Sequence, residues 1–325
     1  MHNGLPVKPG KLISCVDATA GPEYTLRTRW GPTDVSMKLA SYKLRGRESF
    51  GVVVGEGAGQ GVVDLKPRLG PHFASTLDLL RNDGLQLARD AARGVRADFS
   101  VTEVEWLAPL TSPEKILCIG INYANRNADY GDAEVPKYPS MFYRAPNSLA
   151  AHEQPLVRPF ESEQLDYEGE IALVIGRAGR RIPHDQALDH VAGVTLCNEG
   201  TIRDWIRHGK FNVTQGKNWE STGAIGPWIV TTDEIDLTKP LHITVKLNGE
   251  ITQDDTTASM IKSFADLIAY VSTFMTLKPG DIIATGTPIK LGPKSDKPKW
   301  LVPGDVVEIE VPEIGVLRNT VVMES

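Results

Sequence analysis

The chain has 325 residues, 41% of them hydrophobic and 23% charged, with 41 acidic against 35 basic side chains for a formal net charge of -6. Such a composition describes a soluble globular protein long enough for about two domains, and its acidic balance argues against nucleic acid or an anionic membrane surface as a partner. No apolar run reaches the roughly eighteen residues of a membrane span, and Cys15, Cys118 and Cys197 show neither a CxxC spacing nor a disulfide framework, so a reducing cytoplasm is the expected compartment.

Residues 1–36 contain no apolar segment of secretory type and read as an N-terminal extension. Met37 opens a first strand. SFGVVVGEGAGQGVVDL then predicts two strands around a glycine-rich turn, and LDLLRNDGLQLARDAARGV, residues 77–95, is helical in composition with a glycine interruption. These elements form a small N-terminal domain over residues 37–110. Pro109 and Pro113 punctuate the chain before a strong apolar strand at Ile116–Ile119, and residues 111–325 form a second, β-rich domain. The fold class predicted is α+β.

LDYEGEIALVIG, residues 165–176, carries Asp166, Glu168 and Glu170 two apart, running into a five-residue apolar strand. In a continuous strand the three acids share one face. Two carboxylates about 4 Å apart repel by roughly 4 kcal/mol at an effective dielectric near 20, so either the face is solvated or a proton or cation offsets the charge. The apolar run, which reads as a strand buried on both faces, points to a site.

VAGVTLCNEGTIRDWIRHGK supplies a third acid. An apolar strand at Val191–Leu196 ends on Asn198-Glu199, and Thr201 with Asp204 resembles a helix start, with Arg203 and Asp204 as a helix-surface pair. Glu199 is then either a metal ligand or a first-turn acid favoured by the helix dipole. Three carboxylates without histidine or thiolate specify a hard cation: Mg2+ or Mn2+, with Ca2+ also admitted and zinc disfavoured. Further on, QGKNW places Lys217 in a loop-like stretch. Asn248-Gly249 between alternating runs is a hairpin signal, and Met260, Ile261, Phe264, Leu267, Ile268 and Val271 share helical spacing as core. LKPGDIIATG and LVPGDVVEIE repeat a Pro-Gly-Asp turn feeding a strand. ATGTPIKLG ends a strand in a tight turn whose Thr287 hydroxyl and amides suit an oxyanion or simply shape the turn. No GxGxxG, HExxH, GxSxG or phosphate-loop motif occurs.

Read together from Glu114 to Asn319, KILCIGINYANRNADYG, PSMFYRAPNS, LDYEGEIALVIG, VAGVTLCNEGTIRDW, QGKNW, GAIGPWIV, LNGE, the Pro-Gly-Asp strands and TGTP resemble the fumarylacetoacetate hydrolase family in content and order. The resemblance implies a mixed β-roll catalytic domain, usually dimeric, with Mg2+ or Mn2+ held by Glu168, Glu170 and Glu199, the last standing where most relatives have aspartate. It makes Lys217 the active-site lysine at the substrate's keto oxygen, Arg144 a substrate contact and Asp166 a support for the ligands; Thr287 joins the substrate contacts from the chemistry of its own turn. The histidine and glutamate of the family's lid dyad are replaced by Arg126 and Asp129. Arginine keeps its proton and cannot act as a base, so Arg126 is assigned to substrate binding, Asp129 to catalysis, and His152, with His208 as the weaker alternative, to the missing histidine's role. The activity implied is metal-dependent hydrolysis of a carbon–carbon bond in an acylpyruvate-type acid. Oxaloacetate-type decarboxylation, isomerisation or hydration of an oxo-alkenedioate, and a non-catalytic dimeric diketo-acid binding protein stand as alternatives.

Overall fold

The structure, a computed structural model, describes residues 37–124, 137–210, 212–292 and 299–325; the expected extension over residues 1–36 lies outside them. Strands β1 (Lys38–Leu44), β2 (Arg47–Val54), β3 (Gly61–Asp64), β4 (Phe99–Ser100) and β5 (Glu105–Trp106) come from the first segment, with helices α1 (Lys66–Leu69), α2 (Thr76–Arg81) and α3 (Leu85–Ala92) between β3 and β4. The glycine interruption lies between α2 and α3, and Ser75 caps α2 by accepting the Asp78 N–H.

The second segment supplies β6 (Ile116–Gly120), β7 (Ser140–Tyr143), β8 (Leu149–Ala151), β9 (Leu156–Arg158), β10 (Leu165–Asp166), β11 (Gly169–Ile175), β12 (Val191–Asn198), β13 (Thr201–Ile202), α4 (Thr214–Lys217), β14 (Gly223–Thr231), β15 (His242–Leu247), β16 (Glu250–Thr256), α5 (Phe264–Phe274), β17 (Ile282–Ala284), β18 (Val306–Val311) and β19 (Gly315–Met323). The protein is β-rich with few helices, as its strand patterning predicts. One large sheet runs β4-β3-β2-β1-β14-β12-β11-β17-β6-β7. The first segment joins it directly, β1 pairing antiparallel with β14 at Lys38↔Val230 and Leu39↔Ile229. A second sheet runs β16-β15-β18-β19-β9.

At the centre of the large sheet β11, β12 and β14 are buried along their whole lengths. Ile171, Leu173 and Ile175 face an apolar layer with Val245, Ile309 and Leu317 of the second sheet; Ala172 and Val174 face the opposite layer with Leu79 and Ile229. Each of the larger side chains here, the Ile, Leu and Val residues, contributes roughly 1.5–3 kcal/mol by burial. Gly169 lets the two sheets close: a Cβ there would fall 2.3 Å from Val245 Cγ2, and overpacking of this kind costs about 1–3 kcal/mol.

The Asn248-Gly249 hairpin forms, both residues at positive φ (55° and 83°) as a two-residue turn of this type requires. In each Pro-Gly-Asp turn the aspartate accepts a backbone N–H three residues back, Asp281 from Lys278 at 2.8 Å and Asp305 from Val302 at 2.9 Å. The late helix is shorter than its apolar spacing suggests. Ser263 and Asp266 form a reciprocal capping box that starts it at Phe264, so Met260 and Ile261 precede it.

Candidate metal centre

The strand carrying the acids is broken where the sequence suggests continuity. Leu165 and Asp166 pair with Ile202 and Thr201 in a separate two-stranded ladder, the chain crosses at Tyr167 and Glu168, and only from Gly169 does it join the large sheet. Asp166 therefore does not share a face with the glutamates. Glu168 is fixed at the crossing by its own backbone: its N–H donates to Asn198 Oδ1 at 3.0 Å and its carbonyl accepts the Glu199 N–H at 2.8 Å. Glu170 stands opposite Cys197 in the β11–β12 ladder, and Glu199 follows the last residue of β12. Two neighbouring strand ends thus bring Glu168, Glu170 and Glu199 together, one carboxylate oxygen from each lying within 4.8 Å of the others.

All three are buried, so their charges have little water to screen them. Lys217, itself buried at the end of α4, donates to Glu168 Oε2 at 2.5 Å and to Glu199 Oε2 at 2.7 Å. Burial alone would pull its ammonium down, but the Glu168 and Glu199 carboxylates outweigh that and hold it above the ordinary lysine range. Arg203 donates from Nη2 to Glu168 Oε1 at 2.6 Å and from Nε to Asp166 Oδ2 at 2.9 Å. Asp204, expected as its surface partner, instead accepts the Ser162 hydroxyl. After Thr201 the chain makes only one 3₁₀ turn, Arg203–Trp205, because Thr201 is engaged in the ladder with Asp166 and cannot cap a helix.

Arg144 is 3% exposed and fully committed. Its five N–H groups meet Glu199 Oε1 (2.9 Å), Gly200 O (2.7 Å), Ser148 Oγ (3.0 Å), Ser148 O (3.2 Å) and Thr222 Oγ1 (3.4 Å). The guanidinium expected on a substrate carboxylate instead gives one N–H to Glu199 Oε1 and the rest to its surroundings, which ties the Glu199 side chain to a fixed cation. Thr287 is buried beside the site, its hydroxyl accepting from Gln253 Nε2 at 2.9 Å. The preceding Gly286 donates its N–H to Glu170 Oε2 at 2.9 Å. That contact needs glycine: φ is +104°, and a Cβ would lie 2.7 Å from Asn122 Cβ. Asn122 secures the loop, donating to Thr285 O at 2.8 Å and Lys262 O at 3.0 Å.

His152 is held elsewhere. Its Nδ1 accepts the Arg318 N–H at 3.1 Å and its ring meets Trp106 edge-on at 5.8 Å; among the described residues no hydrogen bond or ion pair joins it to the three glutamates. His208 packs against Trp205 at 4.2 Å. Arg126 and Asp129 lie outside the described residues. Burial, with a smaller push from Arg318, lowers the His152 pKa from 6.5 to about 4. The folded state therefore binds fewer protons than the unfolded one, and stability is lost as pH falls from about 6.5 towards about 4, by about 3 kcal/mol. Urea unfolding of His152→Gln, whose amide oxygen can still accept the Arg318 N–H, is expected to lose this acid-limb slope.

Glu170 differs from its neighbours. It is 1% exposed, and among the described residues its one hydrogen-bond donor is the Gly286 amide. Burial first, then the Glu199 and Glu168 charges, push its pKa well up, and burial also raises Glu199. The donor set is all hard oxygen. Bond lengths of 2.0–2.1 Å for Mg2+ and 2.3–2.6 Å for Ca2+ span about 4 to 5 Å across the ion, which matches the observed clustering. Without a cation, raised carboxylate pKa values mean that the folded state holds more protons. Metal-free stability is then full below the ordinary carboxylate range and falls as pH rises through the raised values. Melting curves with EDTA and with Mg2+ are expected to diverge increasingly as pH rises above the ordinary carboxylate range.

A family model described as Fumarylacetoacetate (FAA) hydrolase C-terminal matches residues 115–322. The chain is 36% identical over 291 residues to oxaloacetate tautomerase Fahd2a, mitochondrial, of Rattus norvegicus, covering 88% of this chain and 92% of that protein. It is 40% identical over 228 residues to oxaloacetate tautomerase YisK of Bacillus subtilis (strain 168), covering 69% and 75%. Among solved structures, a probable 2-hydroxyhepta-2,4-diene-1,7-dioate isomerase from Mycobacterium abscessus aligns with a TM-score of 0.72 at 30% identity, covering 89% of this chain and all of that one.

Proposed function

The chain belongs to the fumarylacetoacetate hydrolase family, and from that premise we propose that it interconverts the keto and enol forms of a small 2-oxo dicarboxylic acid such as oxaloacetate, with a divalent cation held by Glu168, Glu170 and Glu199. The observation that carries the reading is Glu170, a carboxylate buried among like charges with, among the described residues, a single peptide N–H as hydrogen-bond partner. When bound, Mg2+ or Mn2+ supplies Lewis-acid stabilisation of negative charge on the 2-oxygen.

The chain's own groups account for the rest. Lys217 keeps its proton at neutral pH and directs its three N–H groups to Glu168 Oε2, Glu199 Oε2 and Glu199 O, so one of these donors turns from a glutamate to meet charge that grows on the keto oxygen. Arg144 and the Gly286 amide fix the carboxylates of Glu199 and Glu170, so little reorganisation accompanies charge development. The Thr287 turn offers a hydroxyl and amides to a substrate oxygen. Tautomerisation moves one proton between C3 and the 2-oxygen and needs no activated water. This suits a sequence that carries, at the positions of the family's dyad, a carboxylate in Asp129 for the C3 proton and a permanent cation in Arg126 for a substrate carboxylate. Two oxaloacetate tautomerases among the relatives, over 88% and 69% of this chain, support this reading over hydrolysis.

The test follows enol absorbance of oxaloacetate with Mg2+ or with EDTA, alongside coupled detection of pyruvate and acid release from an acylpyruvate. The expected result is Mg2+-dependent loss of enol well ahead of pyruvate. Rapid pyruvate formation, or acylpyruvate cleavage as the only activity, would replace tautomerisation with decarboxylation or hydrolysis.

A further inference from the structure

Glu168 sits outside any regular strand ladder, so the direction of its carboxylate is set by the side chains that grip it. Among the described residues these include Lys217 and Thr201 at Oε2 and Arg203 at Oε1. In the proposed reaction Lys217 also serves the substrate, and the Thr201 contact is long, at 3.3 Å. Arg203 also reaches away from the centre, donating through Nε to Asp166 Oδ2 at 2.9 Å. Asp166 is 5% exposed and is itself held from two sides, its Oδ1 accepting the Tyr167 N–H at 2.9 Å and the Lys290 ammonium. Lys290 in turn lies 3.9 Å from the centre of the Tyr167 ring.

Backbone pairing explains why these groups meet. The ladder, which ends at Leu165↔Ile202, places Arg203 one residue beyond it and four beyond Glu199. One short segment therefore delivers a ligand and, beside it, the support for a second ligand. We propose that Arg203 is a positioning residue that fixes Glu168 for cation binding, held in line by Asp166, which Lys290 anchors in turn. The role requires a planar fork reaching two carboxylates at once, which lysine cannot reproduce. It resembles the outer partners that orient metal ligands generally and rests on the reading of the three glutamates as a cation site.

The test measures Mn2+ affinity of the full chain by the electron paramagnetic resonance signal of free Mn2+, with metal-free melting temperature recorded in parallel, for wild type, Glu168→Gln, Arg203→Lys, Asp166→Asn and Lys290→Met. Arg203→Lys preserves charge and removes the fork; its Mn2+ dissociation constant is expected to rise about 10- to 100-fold, with a smaller rise for Asp166→Asn and the smallest for Lys290→Met. If Arg203→Lys does not fold, Asp166→Asn carries the test. A variant that melts lower yet binds Mn2+ as tightly as wild type would show a purely structural role and overturn the proposal. Wild type binding Mn2+ no better than Glu168→Gln would overturn the metal reading itself, and this inference with it.

Discussion

Glu170→Gln is expected to do two opposite things. Glutamine keeps an oxygen for the Gly286 N–H and removes a buried charge that stands beside two others, so the metal-free protein should become more stable at pH 8 and lose part of its fall in stability with rising pH, Glu199 keeping the remainder. The same change removes a ligand, and turnover should drop by more than the 10- to 100-fold seen when outer supports of a metal site are lost, on the order of 1000-fold. Thermal melts in EDTA against pH, with enol-decay rates at saturating Mg2+, measure both. A variant that is less stable without metal, or that retains turnover within a few-fold, would mean that Glu170 is a structural acid.

Lys217→Met is the second large effect. It leaves Glu168 and Glu199 buried with one cation fewer, and breaking a buried pair in this way costs about 3–5 kcal/mol. The loss should be visible in metal-free melts and largely restored by Mg2+, because a divalent ion offsets the same carboxylates. Activity should not be restored. Removing a donor aimed at developing oxyanion charge costs about 100- to 1000-fold in turnover, so the metal-loaded variant should be folded and slow. Recovery of rate together with stability would assign Lys217 to charge balance alone.

What the sequence reveals about this site and what it hides follow from the range of the interactions. Glu168, Glu170 and Glu199 are legible because each abuts a long apolar strand, and the lack of nearby histidine or thiolate already restricts the cation. The hairpin at Asn248-Gly249 and the Pro-Gly-Asp turns are legible because their chemistry is local, decided within four residues. The break at Tyr167-Glu168 is not, since its cause is a ladder with residues 201–202, more than thirty positions away. Arg203 looked like half of an exposed i, i+1 pair for the same reason: neither Asp166 nor Glu168 is near it in sequence.

Arg144 shows a different limit. Its motif places it at the site, but nothing local discloses that five acceptors from Ser148, Glu199, Gly200 and Thr222 surround it, so a guanidinium expected on the substrate holds a glutamate instead. His152 directly follows a buried strand-like run that ends at Ala151, and only the tertiary fold shows its Nδ1 turned to the Arg318 amide. Gly286 and Asn122 carried one usable signal, a glycine between two threonines after a strand, which pointed to a tight turn without saying whose carboxylate it serves.

The most direct measurement is anomalous diffraction at the manganese edge from crystals of the full chain soaked in MnCl2. A single strong peak bounded by Glu168, Glu170 and Glu199, with Lys217 alongside, is the predicted result. A map with no peak there, or with manganese bound only at other acids, would contradict the account.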